Sequence, residues 1–258
     1  MSFTISLQSE VLKTKRSASF WLSILAAAIM PVIFFLAFYF NPADTSKGLH
    51  KDPWSTYFMW GWGVLNVFIF PMFVILICTL IPQIEYKNNT WKQVFASPQS
   101  LGNIYFSKFL TIHLMIFFFF LCFISLMFLS AILTNILNSS FPFFDKPVNW
   151  QMLGRLVLKT YISVLGISAI QYCLSLRFKN FIAPVGIGLA LLVGALVARE
   201  AGWDHIYKVP FAHPLLTLQS LSKAGCPFIE NHEWNSILYF LAFLLIGLLD
   251  LKFRKEKG

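Results

Sequence analysis

Residues that could carry out chemistry are few in this sequence, and they lack the spacing that catalysis needs. The chain has no Gly-x-x-x-x-Gly-Lys-Ser/Thr loop, the pattern that holds the phosphates of ATP. The zinc-binding pattern His-Glu-x-x-His is also missing, and His113 has no second histidine or carboxylate at ligand spacing. Asp250 is the only carboxylate within one of the long apolar runs. We therefore expect no catalytic residue, no metal or cofactor site and no enzymatic activity.

The composition of the chain is that of a membrane protein. Of its 258 residues, 57% are hydrophobic and 12% are charged, whereas a soluble domain carries about twice that charge. Six apolar runs are long enough to cross a bilayer as helices. They are Ala18–Phe40, Phe58–Ile81, Phe109–Leu137, Leu153–Leu176, Phe181–Ala198 and Ser236–Leu251. We predict an all-α, polytopic fold with six transmembrane helices and a single domain, residues 1–258.

The positive charge of the chain lies mainly on one side of these spans. The formal net charge is +9, and twelve of the 20 Lys and Arg residues fall in 1–17, 82–108, 177–180 and 252–258. An even number of spans puts these four segments, and both termini, on one side, which we call the basic side. Basic loops mark the cytoplasmic face of a membrane. The charge thus predicts cytoplasmic termini and attraction to anionic membrane lipids rather than to nucleic acid.

Residues 83–108 form the longest polar interruption on the basic side. Within this stretch Trp91, Val94 and Phe95 recur at helical spacing, so they share one face of a short amphipathic helix that Pro98 ends. The partner of this apolar face could be the headgroup layer, the neighbouring spans or another protein.

A second amphipathic segment, residues 1–17, precedes the first span. Its apolar residues recur every four positions, and a basic cluster follows them. One interpretation is an anchor that binds lipid; the other is a helix along the interface that touches a peripheral partner. The polar residues assigned to this interface helix are Glu10, Lys13, Lys15 and Arg16.

Four polar residues within the spans are candidates for contacts with a substrate or a headgroup. Asn66 and Gln171 are the clearest polar groups deep in the membrane, although a lone amide more often bonds to a neighbouring helix. Arg155 and Lys159 lie one turn apart near the opposite side. We expect both to extend to the headgroups, and the alternative is a site for an anionic headgroup or carboxylate.

The fifth span carries small residues at every fourth position, and small residues let helices approach closely in lipid. They are Gly186, Ala190, Gly194 and Ala198. This stripe predicts the most tightly packed helix, either against the first or fourth span or at a seam with a second copy. Residues 199–235 then form a segment rich in proline and aromatic residues, for which we expect a broken, re-entrant course at the opposite membrane surface.

A resemblance to a known family covers essentially the whole chain, and three motifs carry it. They are Glu10-Val-Leu-Lys13-Thr-Lys15-Arg16-Ser17, then Glu85 with Thr90-Trp91-Lys92, Pro98 and Tyr105-x-x-Lys108, and finally Val209-Pro210-Phe211-Ala212-His213-Pro214. The chain resembles the permease subunit of type 2 (ABC-2-like) ABC transporters, most closely the lantibiotic- or bacteriocin-immunity and bacitracin-resistance permeases. Leu101 departs from the pattern, because such permeases often have arginine there.

The resemblance implies the membrane subunit of an exporter in the bacterial cytoplasmic membrane. Its cargo would be hydrophobic or amphipathic, such as a peptide antibiotic or a lipid. The expected partners are two ABC ATPase subunits, which hold ATP and Mg, and a second permease copy, identical or homologous. The residues expected to couple to the ATPase are Glu85, Trp91, Lys92, Val94, Phe95, Pro98 and Lys108. The alternative is an ATP-independent immunity or structural protein that binds its ligand without moving it.

Overall fold

The computed structural model describes residues 3–15, 17–49, 51–96, 99–221, 227 and 229–253. Arg16, Pro98 and the side chains of Lys92 and Phe95 lie outside the described residues. The helices are α1 Phe3–Thr14, α2 Ala18–Phe40, α3 Pro42–Ser46, α4 Pro53–Val64, α5 Phe70–Lys87, α6 Trp91–Ala96, α7 Leu101–Leu137, α8 Trp150–Arg177, α9 Ile182–Glu200, α10 His213–Leu221 and α11 Asn231–Phe253. No β-strand occurs in these ranges, which confirms the all-α fold.

Within the described ranges, six helical segments are long and apolar enough to cross a membrane, as the sequence predicts. The first span has the predicted bounds, but the second runs from Pro53 to Lys87 and the third from Leu101 to Leu137. The third span has 37 residues, so at about 1.5 Å per residue it is roughly 55 Å long. The hydrocarbon core is only about 30 Å thick. The ends of α5 and α7 therefore continue past the hydrocarbon on the basic side.

The second span is continuous because a π-helical turn, Leu65–Ile69, joins α4 to α5. Pro71 follows directly and has no N–H group with which to continue the regular hydrogen-bond ladder. The wider π-helical turn accommodates the missing hydrogen bond at Pro71. Within this turn, the Phe70 N–H donates to the carbonyl of Leu65. The helix thus passes through a proline position without ending.

The core lies at mid-height in the bundle and is aromatic where the second and third spans meet. Phe73 and Phe119 stack with ring centroids 4.4 Å apart, and Phe70 and Phe120 lie 4.9 Å apart. All four side chains are buried. Around this centre α2 packs along α7, and α8 packs along α11 and α5. This packing fixes the spans at mid-height and leaves their basic-side ends to form separate contacts.

The fifth span, α9, is loosely packed within the chain, so the prediction that it is the most tightly packed helix is wrong for contacts inside one copy. Only 22% of its most apolar stretch is buried, against 61% for the second span. The predicted stripe faces outward: Gly186, Ala190 and Gly194 are exposed, and Ala198 is partly exposed. A Cβ added at Gly186 or Gly194 would meet nothing within 4 Å. Packing of this stripe within the chain, one of the two alternatives, is therefore excluded.

The packed face of α9 is a different one. Its buried residues are Pro184, Gly188, Leu192 and Ala195. A Cβ at Gly188 would approach Gln171 Oε1 to 2.7 Å and Ile75 Cγ2 to 2.8 Å. Glycine is therefore needed at position 188 for α9 to sit this close to α5 and α8.

The segment after α9 contains short helical pieces. Two 3₁₀ turns, Ile206–Lys208 and Pro210–Ala212, lead directly into α10. Helix α10 begins at His213, directly before Pro214, and is described as far as Leu221. Phe211 and His213 are buried against the bundle. A re-entrant course for residues 199–235 stays a prediction.

Candidate functional site

The amphipathic helix α1 packs on the beginning of α7 with a polar face. Its buried residues are Ser6, Glu10 and Thr14. Phe3, which the sequence places on the apolar face, is exposed. Polar residues are buried at a helix interface only when they find partners there. The partners of these three buried side chains therefore show which parts of the chain α1 holds together.

Glu10 enters a cluster of four charged side chains contributed by three helices. Lys108 Nζ, on α7, lies 2.7 Å from Glu10 Oε2 and 2.5 Å from Glu85 Oε1, at the end of α5. Lys13 Nζ lies 2.6 Å from Glu10 Oε1 and 3.0 Å from the same Glu85 oxygen. Each lysine thus contacts both carboxylates, and each carboxylate contacts both lysines. We call Glu10, Lys13, Glu85 and Lys108 the charge cluster.

The charge cluster is largely removed from solvent and is electrically balanced. The side chains of Lys108 and Glu85 are 1% and 2% exposed, and only Lys13, at 36%, reaches the surface. Two positive and two negative charges compensate one another, which burial of charge requires. Burial lowers the pKa of Lys13, but the hydrogen bonds and negative charges of Glu10 and Glu85 outweigh it, so the pKa is raised. Lys13 therefore stays charged.

A tight turn between α5 and α6 fixes Glu85 relative to the next helix. The N–H of Thr90 donates to the carbonyl of Glu85 at 3.0 Å, and the N–H of Asn89 donates to that of Tyr86 at 3.3 Å. Asn89 has φ +52°, a left-handed conformation that asparagine tolerates better than most residues. This pair of bonds is the Schellman end of an α-helix. It turns the chain so that α6 begins at Trp91 beside the charge cluster.

The apolar face of α6 packs on the chain itself. Trp91 is 7% exposed, and its ring lies 5.2 Å from that of Tyr86 and 5.7 Å from Lys108 Nζ. Val94 is half-buried against the core. Of the three possible partners for this face, the neighbouring helices are therefore the ones observed. The Trp91 ring therefore packs within the chain and offers no free face for docking, whereas a contact of Val94 with the ATPase stays a prediction. Gln93 is the described α6 side chain that faces solvent.

Helix α1 also contacts the chain on the far side of α6. Ser6 Oγ donates to Gln99 Oε1 at 2.9 Å, while Glu10 lies beside Glu85 and Lys108 in the charge cluster. Helix α1 therefore contacts residues before and after α6. It spans the base of residues 83–108, which we call the coupling region. The structure gives Glu85 and Lys108 buried partners within the chain rather than a surface position, and coupling of this region to an ATPase stays a prediction.

A family model described as "ABC-2 family transporter protein" matches residues 6–195. The chain belongs to this family. The match includes α1, the charge cluster, α6 and the first four spans with most of the fifth. No curated protein and no solved structure matches the chain. The chain is accordingly a transmembrane subunit of an ABC transporter, and its family implies an ABC ATPase as partner.

Two of the residues predicted to contact substrate bond to other helices of the transporter subunit. Asn66 Nδ2 donates to Thr160 Oγ1 at 3.3 Å. Gln171 Nε2 donates to Thr79 Oγ1 at 3.1 Å and to the carbonyl of Pro184 at 2.7 Å. Both amides are buried. These contacts match the interhelical interpretation, and a role in substrate binding stays a prediction.

The two basic residues at the start of α8 have different environments in the transporter subunit. Arg155 is exposed, as expected for a side chain that extends to the headgroups. Lys159 is buried, and its Nζ lies 3.3 Å from Glu233 Oε2 and 3.4 Å from the carbonyl of Pro227. The expectation that Lys159 reaches the headgroups is therefore wrong. An ion pair, well inside the protein, holds α8 to the beginning of α11.

Sequence reasoning missed Glu233 because it placed the last span at Ser236, whereas α11 begins at Asn231. Glu233 is fully buried, and its carboxylate also accepts the backbone N–H of Glu230 at 2.9 Å. An acid three residues into a helix commonly caps it in this way. That spacing was the one sequence feature that could have located it.

His113, the residue considered first for metal binding, pairs with an aromatic side chain. Its Nδ1 lies 3.1 Å from the hydroxyl of Tyr161, and its ring packs edge-on against Phe109. Within the described part of the transporter subunit, no group of three or more His, Cys, Asp or Glu side chains could hold a metal ion.

Proposed function

We propose that this chain is the membrane subunit of an exporter for a hydrophobic or amphipathic substrate, driven by ATPase subunits that dock on its basic side. The observation that carries the proposal is the charge cluster, which joins α1, α5 and α7 at the base of α6. In this proposal the basic side is cytoplasmic, where ATP is available, and the membrane is the bacterial cytoplasmic membrane. The exposed part of the coupling region, including Gln93, contacts the ATPase.

The charge cluster gives the coupling region a mechanical role. Taking one charge away from its partners would leave the others buried without compensation, at a cost of about 3–5 kcal/mol. A displacement of α6 is therefore passed on to the helices that the cluster joins rather than absorbed by the turns beside it. Helix α5 continues into the second span, and α7 is itself the third span. Movement of the ATPase thus reaches the membrane through two continuous helices.

The nature of the cargo is supported by the interior of the bundle. Its core is built from stacked aromatic rings, and the amides Asn66 and Gln171 are engaged between helices. Such an interior offers little to a hydrated ion, so we propose a substrate that enters from the membrane. Peptide antibiotics and lipids have this character.

A second permease copy, identical or homologous, is the proposed partner for the outward face of α9. The exposed small residues of α9 leave room for another helix to approach closely, and close approach of backbones drives association in lipid. The substrate path would then run along the seam between the two copies. Two ATPase subunits would serve the pair.

The test is purification of the chain from its native membrane under mild conditions. The exporter predicts that an ATP-hydrolysing subunit co-purifies and that its activity depends on Mg and ATP. If the chain is instead an ATP-independent immunity protein, no ATP-hydrolysing subunit should co-purify with it. Family membership favours the exporter, and a preparation that retains transport or resistance activity without any ATPase would contradict it.

A further inference from the structure

An open pocket of about 560 Å³ lies on the basic side beside the charge cluster, where α1, α2, α5 and α9 meet. The residues that define its character are Lys13 and Lys87 at the rim, Ser17 and Ser19 at the beginning of α2, and Leu80 and Ile84 deeper along α5. None of the described residues that line it is a carboxylate. The pocket is distinct from the face of α6 that we assign to the ATPase.

The pocket changes character with depth. Leu80, Ile84 and Lys87 follow at i, i+4 and i+7 along α5, so they occupy one face of the helix and step from the span towards the basic side. Phe181, at the start of the fifth span, adds a third apolar side chain. The floor of the pocket, on the membrane side, is therefore apolar. The rim of the pocket, on the basic side, is cationic.

The rim has positive charge that the chain does not use. Lys87 is exposed and forms no ion pair among the described residues. Helix α2 begins here, and the side chain of Ser17 does not cap its first N–H groups. Its first turn has no acidic residue. The N-terminus of a long helix adds partial positive charge to that of Lys87, whereas the charge of Lys13 is balanced by Glu10 and Glu85.

We infer that this pocket binds an anionic phospholipid, with its phosphate at Lys87 and the beginning of α2, beside Lys13, and its acyl chains along Leu80 and Ile84. The apolar floor beneath a cationic rim fits a molecule that is itself apolar at one end and anionic at the other. A free phosphate would use only the rim. Because Lys13 belongs also to the charge cluster, the bound headgroup lies in contact with the coupling region. The inference does not depend on the identity of the exported cargo.

The test measures lipid binding to the purified full chain in detergent by native mass spectrometry and by competition. The probes are phosphatidylglycerol, phosphatidylcholine of the same acyl length, soluble glycerol phosphate and inorganic phosphate. We expect phosphatidylglycerol to bind in preference to phosphatidylcholine and neither soluble phosphate to displace it. Equal binding of the two lipids would overturn the inference. Displacement of phosphatidylglycerol by a soluble phosphate would show that the pocket binds a phosphate group and not a lipid.

A matched pair of variants locates the site. Lys87→Gln removes one cation from the rim and should weaken phosphatidylglycerol binding about fivefold, the usual effect of one basic residue at an anionic surface. Lys252→Gln removes a charge from another exposed lysine on the basic side and should change binding less than twofold. Equal losses in the two variants would show general attraction to charge and would refute this pocket as the site.

Discussion

Lys108 lies between two carboxylates, and replacing it with methionine is the sharpest perturbation of the charge cluster. Methionine keeps the length and apolar stem of the side chain and removes only the charge. The cluster then has two negative charges and one positive charge, with Glu85 2% exposed. Removal of one partner from a buried ion pair costs about 3–5 kcal/mol. Since Lys13 leaves one side open to solvent, we expect about 3 kcal/mol.

Thermal unfolding of the purified chain in detergent measures this cost. For a chain of this size, about 3 kcal/mol corresponds to a fall in Tm of roughly 6–12 °C. Lys252→Met, at an exposed position on the same side, should change stability by no more than about 0.5 kcal/mol. Adding Glu85→Gln to Lys108→Met restores charge balance, so the double variant should recover part of the loss. A Lys108→Met chain as stable as the wild type, or a double variant no better than the single one, would refute the balance of charge as the source of stability.

Other substitutions test the remaining contacts. Trp91→Ala should lower the free energy of unfolding by about 3–5 kcal/mol, because the ring is buried within the chain. A variant that keeps its stability but no longer binds the ATPase would show instead that Trp91 docks on the ATPase. Gly188→Leu should destabilise the isolated chain, whereas Gly194→Leu should leave it stable and disrupt the association of two copies. Thermal unfolding measures the stability, and cross-linking between copies measures the association. The reverse result would mean that the packed face of α9 is wrongly assigned. Glu233→Ala should destabilise the chain by leaving Lys159 buried without its partner, and Glu233→Ala together with Lys159→Met should recover stability; independent, additive losses in a double-mutant cycle would contradict the ion pair.

The number and order of the spans could be predicted from the sequence because the hydrophobic requirement for crossing a bilayer is local. Hydropathy places each apolar run without reference to its neighbours. Hydropathy does not find helix ends that continue through polar residues, such as the end of α5 at Lys87 and the start of α11 at Asn231. A helix continues there because its backbone hydrogen bonds and side-chain partners favour it, although the residues are polar.

The site was predicted as a segment but not as a set of contacts. Lys108 and Glu10 are 98 positions apart, so no periodic pattern links them. In the sequence Lys108 is one more cation of the basic side, and only the docking of α1 on α7 makes it a buried partner of two acids. Likewise, small residues on α9 mark where another helix could approach without indicating which face meets one. Long-range pairing of this kind depends on tertiary packing.

The contact between the coupling region and an ATPase is the central claim, and photo-cross-linking from Gln93 in the native membrane tests it most directly. A photoreactive amino acid at Gln93 lies on the exposed surface of α6, and one at Ala43, exposed on the opposite side, is the control. We predict that position 93 cross-links to a subunit that binds ATP and that position 43 does not. Capture of that subunit from Ala43, or its absence at Gln93 in a complex that hydrolyses ATP, would contradict the proposed coupling.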